Sequence, residues 1–207
     1  MNLSWFLVLV SIVSSIIMIV PLNLVHAAVI NCGQIVWPDA CEGTNDDDSM
    51  KGDNQDDVIN GNDGDDKIRG LGGVDSINGG DGDDTIDAGD GDEGDVIGGL
   101  GDDIVRGGKG NDDEISGDDV FFEGGGNDVL EGGPGDDTRM NGGPGADKIY
   151  GGSGDDTIFH GNIDDRTDSD GAQDEIDCGS GNDEVWINVN TDNDQVKNCE
   201  TVHTEND

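Results

Sequence analysis

From Gly52 onward, a single aliphatic residue returns about every nine positions with mostly polar neighbours on either side. The chain reads GDNQDDVIN, GNDGDDKIR, GLGGVDSIN and GGDGDDTID without a gap, and GTNDDDSMK precedes them from Gly43. The aliphatic series is Ile59, Ile68, Ile77, Ile86, Ile97, Val105, Ile115, Leu130, Ile149, Ile158, Ile176, Val185 and Val196. Its flanks are pairs such as Lys67/Arg69, Ser76/Asn78 and Thr85/Asp87. Polar, apolar, polar is the alternation of a very short strand with one inward face. The first six residues of each unit are mostly Gly, Asp and Asn, which suit tight turns. Each unit is therefore predicted to be a turn and a three-residue strand, and two units, eighteen residues, complete one flat coil. The outward seventh position runs Val58, Lys67, Ser76, Thr85, Val96 and Ile104, with no regular rank.

The rhythm slips in places. AGDGDEGDVI and GGKGNDDEIS each carry an extra residue, and residues 117–131 are irregular, with Phe121 and Phe122 expected to plug the defect. GGPGDDTRMN, GGPGADKIY and GGSGDDTIF restore the pattern, an insertion runs from His160 to about Gly171, and AQDEID, CGSGNDEVW and VNTDNDQVK close the array.

The sixth residue of the units is Asp: Asp48, Asp57, Asp66, Asp75, Asp84, Asp95, Asp103, Asp113, Asp128, Asp137, Asp147, Asp156, Asp174, Asp183 and Asp194, with Asp119 as the candidate in the irregular unit. Turns on one edge of such a coil recur every second unit, about 4.8 Å apart. Asp66 is expected over Asp84, and Asp84 over Asp103. Carboxylates that close repel, and Ca²⁺, which takes six to eight oxygen ligands, is the natural remedy.

Composition sharpens this picture. The 207 residues hold 49 Asp and Glu against 9 Lys and Arg, a net charge of -40, with 37 Gly and 4% aromatics. A core of large apolar side chains is excluded, and without the repeat the same composition describes a disordered chain. The sequence offers no Lys/Arg patch for nucleic acid or an anionic membrane.

Leu3 to Val20 is almost continuously apolar, and Val25-His26-Ala27 presents small residues where a signal peptidase reads. Residues 1–27 are expected to be a secretory signal, the alternative being an uncleaved anchor. Both put the remainder outside the cytosol. The four cysteines agree with export and allow three pairings. The expected one joins Cys32 to Cys41 and Cys178 to Cys199, one staple at each end. The expected organisation is a cap at 28–42, the array at 43–159, the insertion at 160–171, and the last repeats with a second cap at 172–207.

The units resemble the RTX, or haemolysin-type, nonapeptide GGxGxDxUx. The resemblance covers about residues 43 to 197 and implies an all-β fold, a right-handed parallel β-roll with Ca²⁺ held between stacked turns on both edges. It also implies the ligands: the sixth-position carboxylate and the backbone carbonyls of the second and fourth residues. Carried over, the best-matching turns are Gly80/Gly82/Asp84, Gly99/Gly101/Asp103, Gly133/Gly135/Asp137, Gly143/Gly145/Asp147, Gly152/Gly154/Asp156 and Gly179/Gly181/Asp183. Gln55, Asn62 and Leu71 depart from the glycine positions, which implies weaker early sites. Family members usually carry the array behind a toxin, protease or lipase domain, and this sequence holds none.

Other motifs fall away. Gly89 to Gly94 reads as GxGxxG, but no hydrophobic strand precedes it and its carboxylates repel a pyrophosphate. Asp168 to Gly171 imitates part of an EF-hand loop, with Arg166 where the first ligand belongs. No HExxH or GxSxG is present, so no catalytic centre is expected. The sequence thus points to a secreted Ca²⁺-binding structural or cell-surface protein. The alternative is an adhesion, ice- or polymer-binding module that uses a flat face of the roll.

Overall fold

A computed structural model describes residues 28–33, 40–119, 125–159, 172–187 and 194–204. The expected signal at 1–27, Phe121 and Phe122, and the expected insertion at 160–171 lie outside them. Among the described residues the fold is a parallel β-solenoid of two nine-stranded sheets. The first sheet starts at Val29–Asn31 and ends at Gln195–Lys197, and the second starts at Cys41–Glu42 and ends at Thr201–Thr204. Successive strands alternate between the sheets, so each pair of units is one circuit.

The strands are longer than the three residues expected. Val58–Asp63, Lys67–Gly72, Ser76–Asp81 and Thr85–Asp90 each run for six. Period-2 alternation continues past the aliphatic residue into the glycines of the next unit, so each strand turns two residues inward. In Lys67–Gly72 these are Ile68 and Gly70, both buried. One inward row is aliphatic and the other is almost all glycine.

Register follows from the inward rows. Ile59 pairs with Ile77 and Ile68 with Ile86, the eighteen-residue circuit expected. Met50, Ile59, Ile68, Ile77, Ile86, Val96, Val105, Ile115, Leu130, Met140, Ile149, Ile158, Ile176 and Val185 form the core, none more than 2% exposed. Two expectations are corrected at one place: Val96 points inward, and Ile97 is only half-buried. Gly94 adds a residue between turn and strand, so the aliphatic slot falls three residues after the turn instead of two. The same extra residue follows Asp112 and Asp137, and the three bulged segments are neighbours in the second sheet, where Val96, Ile115 and Met140 stack.

The ends are closed as expected, by Cys32–Cys41 and Cys178–Cys199, with Cα atoms 5.4 and 5.1 Å apart. Cys32 and Cys178 occupy the glycine row of the first sheet, and Cys41 takes the aliphatic row of the second. Each staple therefore crosses the thin interior of a terminal coil.

Cations scattered in sequence share a face. Lys51, Lys67, Arg69, Arg106, Lys148 and Lys197 all point outward from the first sheet. On the second sheet, Phe159, Trp186 and His203 are register partners and stack, with ring centroids 6.3 and 3.8 Å apart.

Candidate metal centres in two carboxylate ladders

Each edge of the solenoid carries a continuous ladder of acidic side chains. On the first edge the backbone N–H of Asp48 donates to Asp66 Oδ1, that of Asp66 to Asp84 Oδ1, and that of Asp84 to Asp103 Oδ1, all at 2.7 Å. The ladder continues through Asp128, Asp147, Asp174 and Asp194. On the second edge Asp57, Asp75, Glu93, Asp112, Asp137, Asp156, Asp183 and Glu200 follow the same rule. From Asp57 to Asp183 no ladder residue is more than 7% exposed.

The structure brings together Asp57, Asp66, Asp75, Asp84, Asp103, Asp128, Asp137, Asp147, Asp156, Asp174, Asp183 and Asp194 as the sequence led one to expect. It leaves out two. Asp95 and Asp113 are exposed, and Glu93 and Asp112 hold their rungs. In those units two acids flank the end of the turn, and the stacked bulges shift the rung to the earlier one. Glu200 was also missed, since it lies beyond the last recognisable unit. In the irregular unit the deeply buried acid is Asp118, not Asp119. The unit keeps phase all the same: Asp128 falls on the Asp103 edge after a 25-residue circuit, and Asp137 on the Asp112 edge.

The glycines pack turn on turn. A Cβ on Gly80 would collide with the carbonyl oxygen of Asn62 one coil back, and one on Gly82 with that of Gly64. Both glycines have positive φ, 116° and 140°. The same backbone is imposed on Asn62 and Leu71, at 81° and 89°. For Leu71 that is a strained conformation. Gly99, Gly101, Gly133, Gly135, Gly145, Gly152, Gly154, Gly179 and Gly181 likewise abut carbonyl oxygens one coil back, while Gly143 abuts the Asp118 side chain.

The second carboxylate oxygen defines the site. Oδ2 of Asp66, Asp75, Asp84, Asp103, Asp112, Asp128, Asp137, Asp147, Asp156 and Asp183, and Oε1 of Glu93, are buried without a hydrogen-bond partner among the described residues. Asp84 Oδ2 and the carbonyl oxygen of Gly98 both stand where a Cβ on Gly79 would be, and Asp103 Oδ2 and the Gly117 oxygen do so at Gly98. First-position carbonyls are thus candidate ligands the sequence did not single out. Among the described residues no three of His, Cys, Asp and Glu converge on one point. The donors are one or two carboxylates with backbone carbonyls, a set suited to Ca²⁺ and not to zinc.

Electrostatics agree. Burial, above all, pushes Asp75 and Asp156 up to about 6, Asp84, Glu93, Asp128 and Asp137 to about 7, and Asp103 and Asp147 to about 8. Neighbouring carboxylates add to most of these shifts, and the backbone N–H each rung accepts opposes them. A buried, unpartnered anion of this kind requires either a proton or a cation.

The family model for the RTX calcium-binding nonapeptide repeat (4 copies) matches residues 42–77, 61–93, 95–113, 116–138 and 139–166. No curated protein matches the sequence. The family matches span more than half of the chain, which therefore belongs to that family.

Proposed function

We propose that this member of the RTX calcium-binding repeat family is an exported structural protein that folds when Ca²⁺ enters its two turn ladders. The observation that carries the reading is the repeated buried carboxylate oxygen without a partner beside a carbonyl oxygen of the next coil. Two like unit charges about 4.8 Å apart repel by about 3 kcal/mol at an effective dielectric of ~20. Several such rungs outweigh the ~5–15 kcal/mol of a typical folded domain. Bound Ca²⁺ would supply the opposite charge between coils. Asp66, Asp75, Asp84, Asp103, Asp128, Asp137, Asp147, Asp156 and Asp183, with Glu93 and Asp112, are the carboxylates that would hold it. Asp174 and Asp194 extend the first ladder toward the second staple.

Export is supported by the apolar N-terminal segment and by four cysteines paired as end staples. Repeats of this family in a solenoid are generally structural, and the regular spacing of the acids suits ligation better than acid–base catalysis. Circular dichroism in excess chelator and then in millimolar Ca²⁺ tests the reading. Disorder is expected first and β structure second; a folded spectrum in chelator would overturn it.

One observation favours a second reading, adhesion through a flat face. Six of the nine cationic residues lie on the outer face of the first sheet of a chain with net charge -40. Arg106 and Lys197 are paired there with Glu131 and Glu175, so the part of the face that suits an anionic polymer is the cluster of Lys51, Lys67 and Arg69 on neighbouring strands. The face does not suit ice, because its outward row runs Ser49, Lys67, Thr85, Ile104, Val129, Lys148, Glu175 and Gln195, without a repeating hydroxyl.

A further inference from the structure

The coil at Gly117 breaks the repeat. Gly117 itself sits in the ordinary first-position row, bonded to Gly99 on one side and Asn141 on the other. Asp128 is the next rung, eleven residues on, where a regular unit such as Gly79 to Asp84 takes five. In the regular coils, the second-position glycine faces the carbonyl oxygen of the second residue one coil back: Gly80 faces Asn62, and Gly99 faces Gly80. At Gly143 this carbonyl is replaced. The atoms that a Cβ there would meet are Oδ2, Cβ and Cγ of Asp118. A side-chain carboxylate has entered a row otherwise made of backbone carbonyls.

Asp118 is 3% exposed, and its two oxygens make no hydrogen bond of good geometry among the described residues, the backbone N–H of Gly126 being the one donor beside them. Every rung of the two ladders, by contrast, accepts a backbone N–H through one of its oxygens at hydrogen-bond distance. Its Oδ2 and the carbonyl oxygen of Pro144 both crowd the point where a Cβ on Gly125 would stand. In the same coil, Asp128 Oδ2 and the carbonyl oxygen of Gly142 crowd the point where a Cβ on Gly117 would stand, and the Asp118 and Asp128 charges repel each other. Two carboxylates and two carbonyls thus face the gap between the Gly117 and Gly142 coils.

We propose that Asp118 is a calcium ligand outside the nonapeptide pattern, forming with Asp128 and the carbonyls of Gly142 and Pro144 a two-carboxylate site where the repeat fails. The site keeps an oxygen where the regular turn offers a carbonyl and adds a negative charge. Because Ca²⁺ affinity rises with ligand charge, this site fills before the regular rungs. The coil that looks like the weakest in sequence becomes the point from which the array orders.

The proposal rests on the calcium reading of the ladders, and its test separates the two. The folding midpoint in Ca²⁺ is measured by circular dichroism, and the bound ions are counted by native mass spectrometry at sub-saturating Ca²⁺. The variants are Asp118→Asn, Asp84→Asn as a regular rung, and Asp81→Asn as an exposed charge-matched control. Asp118→Asn is expected to raise the midpoint roughly fivefold or more and to remove the first ion bound. Asp118→Gly restores the residue of the regular coils, so it is expected to fold with Ca²⁺ and to show the same loss of the first ion. A level or lowered midpoint for both Asp118 variants, with a raised one for Asp84→Asn, overturns the proposal and leaves the ladder reading intact. No rise for Asp84→Asn overturns the ladder reading and the proposal with it.

Discussion

Asp84 accepts the backbone N–H of Asp66 through Oδ1 at 2.7 Å, while its Oδ2 is buried with no hydrogen-bond partner among the described residues. The two oxygens of one carboxylate thus have separate tasks. One fixes the spacing of successive coils, and the other faces the oxygens of the next turn. Removing the side chain should therefore cost more than removing the charge.

Asp84→Ala is expected to raise the Ca²⁺ midpoint more than Asp84→Asn does. The alanine loses a ligand and also leaves the Asp66 N–H unsatisfied, at about 1–3 kcal/mol. The neighbouring Asp83 is exposed. In the structure its Oδ1 accepts the N–H of Asp102 at 3.0 Å, so it is not a bystander. Asp81, exposed in the third position, is the better control, and Asp81→Ala should leave the midpoint level or lower it. Titration followed by circular dichroism decides; equal midpoints for Asp84→Ala and Asp81→Ala would mean that the turns bind cations only diffusely.

Stability without calcium should rise as the pH falls. The rungs titrate higher when folded, with Asp84 near 7 and Asp103 near 8, than at the ordinary value of 3.8. A proton therefore binds the folded form more tightly, and its stabilisation is full below about pH 4 and lost as pH climbs through 7 to 8. Calcium competes with those protons, so the Ca²⁺ midpoint should fall over the same rise in pH. Circular dichroism in calcium-free buffer between pH 8 and 5 should show increasing β structure. A spectrum that stays disordered throughout would show that protons do not substitute for the ion.

The staples should matter at the ends. Closing loops of 9 and 21 residues restricts the unfolded chain by about 2.5 and 3 kcal/mol in the chain-entropy estimate. Reduction is expected to raise the Ca²⁺ midpoint and to speed amide exchange in Val29–Asn31 and Thr201–Thr204, leaving central strands such as Thr85–Asp90 protected. Uniform loss of protection along the solenoid would contradict local end-locking.

Position 88 predicts a compensated pair. Ala88 stands where the neighbouring coils of its row have glycine, and its unit has Glu93 at the rung. Glu93 Oε1 lies over Gly91, whereas Asp84 Oδ2 lies over first-position Gly79. A methyl at the first position thus coexists with a longer acid. Gly79→Ala should raise the Ca²⁺ midpoint strongly by driving Asp84 Oδ2 aside, and adding Asp84→Glu should recover part of the loss. A double-mutant cycle measures the coupling; additive effects would show that the two positions act independently.

Much of this was legible in the sequence, because the repeat is a local rule. One aliphatic per unit, flanked by polar residues and followed by turn-forming residues, dictates a strand, a turn and a coil of two units. Cys32, Cys41, Cys178 and Cys199 lie outside or at the end of that array, and of their three possible pairings the expected short-loop one is found, a staple at each end. In regular units such as GGDGDDTID, the sixth residue is the rung without ambiguity. The unit AGDGDEGDVI offers both Glu93 and Asp95, and GGKGNDDEIS both Asp112 and Asp113. Nothing inside either unit chooses between them. The choice is made by stacking: Glu93, Asp112 and Asp137 are neighbours on one edge, each followed by one extra residue, so their bulges lie over one another and Val96, Ile115 and Met140 stay in register. The Asp118 carboxylate is likewise invisible until the Gly117 coil is laid against Gly143. Period and polarity belong to single units and can be read along the chain. Rungs, edges and unpartnered oxygens belong to contacts between coils 17 to 27 residues apart, and only the folded solenoid brings those residues together.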